Sequence, residues 1–179
     1  MDVEEHSEAE FAAYVETAWP SLVKAAVFLG AGPHEAEDLA QATLVRCYTA
    51  WERVSAADNQ DAYVYRMLLN QLRDARRSRW WRDRRESPGA TDGLEGLEES
   101  APDRSEAIAT ADAVHRALAT LTTAARHVVV LRYFVQLSEA QTAEVLGVPP
   151  GTVKSRLSRA LATLATNDHL INATGGTAR

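Results

Sequence analysis

An all-α architecture follows from three features of this 179-residue chain. Strand signals are nearly absent, and apolar residues recur at helical spacing through most of the length. A stretch rich in Gly, Ser and acids, SPGATDGLEGLEES, interrupts that periodicity near the middle. A pair of short, capped helices around a tight turn follows it. These features predict two small helical domains, residues 1–85 and 106–166, joined by a flexible acidic linker over 86–105 and followed by a frayed tail over 167–179. Such a linker is expected to leave the two domains unoriented.

The first helix is expected over about 8–29, where Gly30-Ala31-Gly32-Pro33 breaks it. A second is expected over about 34–54. Its outer face gathers Asp38, Gln41, Val45, Thr49 and Glu52, opposite Leu39, Thr43, Cys47 and Trp51. An exposed Val among acids and amides suits a protein partner, and a plain solvated face fits the same pattern. Polar residues 55–61 separate it from a third helix over about 62–85. On that helix Arg66, Asn70, Arg73, Arg77 and Arg84 share a narrow sector, while Tyr65, Leu68, Leu69, Leu72 and Ala75 lie roughly opposite. The pattern is a cationic ridge pointing out, interrupted by an amide able to bond a base edge bidentately. Trp80 and Trp81 cannot both face one core; one of them either lies on nucleic acid or covers the end of the domain.

Beyond the linker, Asp103 and Glu106 form a capping box that restarts helix. Helices are expected over about 106–121, 123–135, 138–146 and 150–164. The last two carry the most specific signal. Ser138 and Gln141 make a second capping box with Leu137 as its hydrophobic staple. Ala143 permits a close helix crossing. Gly147 ends the helix where a residue without Cβ is favoured, and Pro149 and Pro150 open the next. On that next helix Val153, Leu157, Leu161 and Leu164 form the apolar stripe. Ser155, Ser158 and Arg159 face away, with Lys154 and Arg156 on the shoulders. Small hydroxyls and an arginine at the centre can touch base edges in a major groove, and flanking cations can reach phosphates.

The net charge of −6 looks unsuited to a nucleic-acid binder until it is divided along the chain. Glu86, Asp92, Glu95, Glu98, Glu99, Asp103 and Glu106 face only Arg104 in the linker region, which accounts for the whole excess. The remainder is neutral overall and locally polarised, so acidity does not argue against DNA. Cys47 is the only cysteine, which excludes an internal disulfide framework and fits a reducing compartment. His6, His34, His115, His127 and His169 are scattered, with no i, i+4 pair, so no metal is expected. No catalytic constellation, P-loop or phosphate cradle is visible, and no cofactor is expected. No apolar run reaches membrane length, and the acidic N-terminal residues do not read as a signal peptide; the expectation is a cytoplasmic protein.

With those residues in place, the chain resembles the extracytoplasmic-function (ECF, group 4) sigma factors of bacterial RNA polymerase, in the sigma-70 family, and most closely a group common in actinobacteria. AEDLAQATLVRCYTAW is similar to family region 2.2, AYVYRMLLNQLRDARR to regions 2.3–2.4, and VVVLRYFVQLSEAQTAEVLGVPPGTVKSRLSRAL to region 4. The resemblance implies a non-catalytic subunit that binds core polymerase, at the β′ clamp helices and β flap, and directs initiation at −10 and −35 promoter elements. It implies that Asp38, Gln41 and Val45 grip the clamp. Arg66, Asn70, Arg73 and Arg77 are implied as −10 readers, with Ala50, Val54, Met67 and Asn70 as walls of a pocket for one flipped base. Thr152, Lys154, Ser155, Arg156, Ser158 and Arg159 are implied at −35. Many members are held by an anti-sigma factor. Val54 is smaller than the aromatic that some members carry there, and Ser158 stands where some carry an aromatic. Trp80-Trp81 lies beyond the position of the strand-opening tryptophans of housekeeping sigma factors. A free-standing helix-turn-helix regulator is the competing reading, and a nucleic-acid-processing enzyme is opposed by the lack of any metal or general-base cluster.

Overall fold

The computed structural model describes residues 3–86 and 106–167, with side chains described over 7–79 and 111–167. The acidic stretch between the two parts, the Asp103–Glu106 capping box, the Trp80 and Trp81 side chains and the tail beyond 167 lie outside the described residues. Among those described there are eight α-helices, one π-helical turn and no strand.

The first domain comprises α1 (Val3–Phe28), α2 (Pro33–Thr49), α3 (Trp51–Ser55) and α4 (Gln60–Glu86). Pro20 lies inside α1 and removes one backbone donor. The helix continues past it, because Leu22, Ala25, Ala26 and Leu29 bury the face just beyond. Gly30 takes a φ of 100°, a conformation open to glycine, and turns the chain sharply. Gly32 then donates its N–H to Glu35 Oε2 at 3.3 Å, and Pro33 opens α2.

The single helix expected over 34–54 is two. α2 ends at Thr49, Ala50 leaves helical geometry at φ −123°, ψ 21°, and α3 restarts at Trp51. The Thr49 hydroxyl donates to the Arg46 carbonyl at 3.0 Å, a local bond that competes with helix propagation. The bend buries Trp51 against Phe11 and Tyr14, at ring-centroid distances of 5.1 and 5.2 Å. Val54 follows it fully into the core. Asn59 caps α4, its Oδ1 accepting from the Ala62 N–H at 2.6 Å. Tyr65, Leu68, Leu69 and Leu72 then face inward as their spacing requires. A buried bond from Gln71 Nε2 to Thr43 Oγ1, 2.8 Å, ties α4 to α2.

The second domain comprises α5 (Glu106–Ala119), α6 (Thr123–Val129), a π turn (Val130–Phe134), α7 (Glu139–Leu146) and α8 (Pro150–Ala165). A regular helix over 123–135 is corrected by the π turn, in which the Val135 N–H reaches the Val130 carbonyl at 3.1 Å. The wider turn lets Val130 and Leu131 both bury completely while Phe134 swings out to meet Phe28 of α1, ring centroids 4.4 Å apart.

That aromatic contact crosses between the domains, and it is not isolated. α4 packs on α7, and α1 packs on α5 and the π turn. One buried cluster runs through both domains. The expectation of unoriented domains is therefore corrected: apolar surface on each domain finds a complement on the other.

Candidate nucleic-acid interface

α8 carries the strongest candidate surface. Its approach is fixed by the reciprocal box on α7: the Gln141 N–H donates to Ser138 Oγ at 3.1 Å, and the Ser138 N–H donates to Gln141 Oε1 at 2.7 Å. Leu137 is buried beneath it. Gly147 adopts the left-handed conformation, φ 67° and ψ 39°, and closes a Schellman turn in which the Val148 N–H reaches the Ala143 carbonyl at 3.0 Å. Pro149 and Pro150 then start α8 where their missing N–H groups cost little.

Within α8 the apolar stripe differs from expectation by one position. Val153 and Ala160 are buried, Leu157 and Leu164 half-buried, and Leu161 is 38% exposed. The stripe steps i, i+4, i+7, i+11, which stays closer to one line at about 100° per residue than a step to i+8 does. Lys154, Ser155, Ser158 and Arg159 are exposed together on the opposite side. Thr152 and Arg156 are half-buried at its edge. Arg156 and Arg159 border a groove formed with Thr120, Thr122, Ala125 and Thr163. Arg159 donates from Nε to the Ser155 carbonyl at 3.2 Å, so it lies back along the helix and must swing outward to reach a partner.

The α4 ridge is less uniform than its sequence. Asn70, Arg73 and Arg77 are exposed, with a long contact of 3.5 Å from Arg73 Nη1 to Asn70 Oδ1 and an ion pair from Arg77 to Asp74. Arg66 turns away to α7, donating to the Glu144 carboxylate at 2.6 Å and the Glu144 backbone carbonyl at 3.2 Å. Arg76 caps the end of α1, bonding the Leu29 and Gly30 carbonyls at 3.1 Å each. Burial lowers its guanidinium pKa, and Glu35 opposes the shift. Arg79 pairs with Glu35. Arginines that look alike along the sequence thus divide into surface cations and helix-end caps.

The proposed base-pocket residues do not form one open surface. Val54 is fully buried, so it supports a wall from behind rather than lining one. Met67 is half-buried, its sulfur 3.8 Å from Cys47 Sγ in the core. Ala50 is half-buried beside Tyr48, Thr49, Glu52 and Glu8 in a separate open groove, and Asn70 is exposed on the ridge. On α2, Asp38, Gln41 and Val45 are exposed together, Val45 at 59%, and Tyr48 joins them at 51%. Tyr48 extends the apolar patch by one helical turn and was missing from the sequence reading. Its i+3 spacing from Val45 is the signal that could have found it.

The family model described as sigma-70 region 2 matches residues 15–82, and that described as sigma-70, region 4 matches residues 111–164. RNA polymerase sigma-E factors of Streptomyces avermitilis and Streptomyces coelicolor are each 38% identical over 155 residues, 87% of this chain and 83–84% of theirs. The ECF RNA polymerase sigma factor SigL of Mycobacterium tuberculosis is 35% identical over 131 residues, 73% of this chain and 72% of its own. Among solved structures, the sigma factor RpoE of Bartonella quintana, in complex with the anti-sigma factor NepR, superposes with a TM-score of 0.69 at 23% identity, covering 94% of this chain and 99% of that one. CnrH, in complex with the cytosolic domain of CnrY, gives 0.60 at 25% identity, covering 88% and 86%. Among the described residues no helix is long and apolar enough to cross a membrane. The two matched regions occupy the two helical domains, and the relatives align through both. The chain belongs to the ECF sigma factors of the sigma-70 family, non-catalytic subunits that bind core RNA polymerase and direct transcription to promoters.

Proposed function

We propose a division of labour among three surfaces. α8 reads the −35 element, with Ser155, Ser158 and Arg159 toward base edges and Thr152, Lys154 and Arg156 toward phosphates. α4 serves the −10 element through Arg66, Asn70, Arg73 and Arg77. Ala50, Val54 and Met67, with Asn70, serve as walls for one flipped base, Val54 from within the core. Asp38, Gln41 and Val45, extended by Tyr48, form the polymerase-facing surface of α2. The unit boundaries follow: residues 1–85 for core binding and −10 work, 106–166 for −35 work, the stretch over 86–105 between them and the tail over 167–179.

One observation carries the reading. Lys154, Ser155, Ser158 and Arg159 are exposed together on a helix whose other side is buried and whose start is locked by the Ser138–Gln141 box and Gly147. A helix fixed in that way presents a rigid reading face, which suits a groove. The similar RpoE structure is a complex with the anti-sigma factor NepR, so an anti-sigma factor is the third partner in this proposal. The cytoplasm, where polymerase works, is the proposed location.

Run-off transcription with core polymerase tests it, the promoters being found by mapping transcript starts after overexpression. Starts that share two conserved elements, lost together when α8 is altered, are the expected result. Specific, tight duplex binding by the chain without polymerase would instead favour a free-standing regulator.

A further inference from the structure

The groove beside α8 holds an arginine for which the chain itself supplies no partner. It lies between that helix and the turn joining α5 to α6, with a volume of about 320 Å³. Buried Leu121 and Ala160 close its floor, and no acid lines it. Arg156 and Arg159 bring two guanidiniums to one wall. Arg159 donates to the Ser155 carbonyl, whereas Arg156 is half-buried and makes no hydrogen bond or ion pair among the described residues.

Three threonines complete the lining, and their hydrogen bonds single out one. Thr120 donates to the Ala117 carbonyl at 2.7 Å and Thr163 to the Arg159 carbonyl at 3.1 Å, so both protons are spent. Thr122 only accepts, from the Ala125 N–H at 3.3 Å. Its hydroxyl is exposed and its proton goes to no group among the described residues. The groove thus offers an unpartnered guanidinium and a spare hydroxyl donor, from two different elements, with no carboxylate to satisfy either.

We propose that Arg156 and Thr122 form a phosphate clamp: together they hold one backbone phosphate of the −35 duplex and so fix the register in which α8 presents Arg159 to a base edge. This rests on the reading of α8 as the −35 helix and adds a second element, the α5–α6 turn, to that reading. The chemistry matches, because a guanidinium and a hydroxyl are both donors and a phosphate is an acceptor throughout. The direction matches too. At about 100° per residue, Arg156, Arg159 and Thr163 share one flank of α8, between its buried stripe and its reading face, while Lys154 lies on the other shoulder. A helix in a major groove has a backbone on each side, so the two shoulders meet different strands. Lys154 is exposed and can follow a phosphate as a point charge, whereas Arg156 is held in place by its burial. Contacts to phosphate carry no sequence information, and they set the register on which base contacts depend. Thr122 and Arg156 are therefore positioning residues for Arg159.

Holoenzyme assembled with the full-length chain provides the test, on promoter duplexes whose −35 phosphates are replaced one at a time by neutral methylphosphonate. On one strand, a single replacement should weaken wild-type binding roughly five- to tenfold, the effect of losing one charge-assisted contact. The same replacement should cost Arg156→Ala nothing further, while Lys154→Ala still feels it in full. Arg156→Ala should also lower the salt slope by roughly one. Thr122→Asp separates the clamp from the helix cap. Aspartate accepts at a helix start as well as threonine does, so the melting temperature should match wild type. The new charge sits where the phosphate would, so affinity should fall, and methylphosphonate at the clamp position should restore part of it. A purely structural Thr122 would give no such rescue. If no phosphate position couples to Arg156, or the Thr122→Asp defect is the same on every duplex, the clamp is wrong, and α8 remains the −35 reader as long as Arg159→Ala relaxes one base position. If no −35 phosphate matters to wild type and Arg159→Ala keeps its selectivity, the −35 reading itself has failed and the clamp falls with it.

Discussion

At the scale of single residues, reading and anchoring should separate on α8. Arg159 is exposed at the centre of the face, and a guanidinium bonding a guanine edge contributes about 1–3 kcal/mol of discrimination. Arg159→Ala in the holoenzyme should relax preference at one −35 position by that amount. Lys154 stands on the shoulder, so Lys154→Ala should weaken binding to all sequences and reduce the salt slope by roughly one. Binding titrations over a set of single-base promoter variants at several salt concentrations decide it. Unchanged selectivity in both variants would end the distinction. The α8 face was legible in the sequence because its residues act within one helix, where spacing fixes direction. The α4 arginines were not. Arg66 and Arg73 occupy one sector of the wheel, and only the position of α7, more than seventy residues further along, determines that Arg66 meets a carboxylate. The burial of Val54 was not legible for a related reason: a small apolar residue reads the same whether it lines a pocket or fills the core.

At the scale of helices, local chemistry predicted where elements begin better than where they bend. The Ser138–Gln141 box, the Gly147 turn and the Gly30–Pro33 break stand as written in the sequence. The kink at Ala50 and the π turn at 130–134 do not, because each follows from tertiary demand: Trp51 must reach Phe11 and Tyr14, and Phe134 must reach Phe28. Two predictions belong here. Asp38→Arg should abolish co-purification with core polymerase while changing stability by no more than about 0.5 kcal/mol, since Asp38 is exposed. A loss of helix content by circular dichroism would show that Asp38 is structural. Gly30→Ala should do the opposite, impairing the fold first. Its φ of 100° disfavours any side chain, and the new methyl would meet Arg126 and Arg76, which cap two helix ends. A fall of more than about 1 kcal/mol in stability by chemical denaturation is expected. Gly30→Ala at wild-type stability would mean that the turn relaxes freely and that the two caps are not needed there.

At the scale of the whole molecule, two domains that the sequence separates are joined by a contact with an unusual charge balance. Arg76 and Arg126 converge on it, and His127 lies beneath them. Burial, reinforced by the nearby cations Arg76, Arg73 and Arg126, pushes the His127 imidazole from 6.5 down to about 4, against a hydrogen bond to the Leu29 carbonyl that favours the charged form. His127 is therefore neutral in the closed molecule at pH 7. When the domains part, or the chain unfolds, the imidazole regains water and returns toward its ordinary value, so the open form binds the proton more tightly. A depressed value in the closed form means that closure has its full strength above pH 6.5 and loses it as pH falls from there toward 4. At about 1.36 kcal/mol per unit, the full effect is on the order of 3 kcal/mol. Lowering the pH from 7 to 5 should therefore expand the free chain in small-angle scattering or lower its melting temperature, at constant ionic strength. Carboxylates add an acid dependence of their own, so the comparison that matters is with His127→Gln. That variant keeps a polar group able to bond the Leu29 carbonyl and has no proton to gain. It should flatten the response between pH 6.5 and 5 and leave the steeper acid limb below it. An identical profile in wild type and variant would show that the imidazole does not control the contact, and that the carboxylates alone set its acid sensitivity.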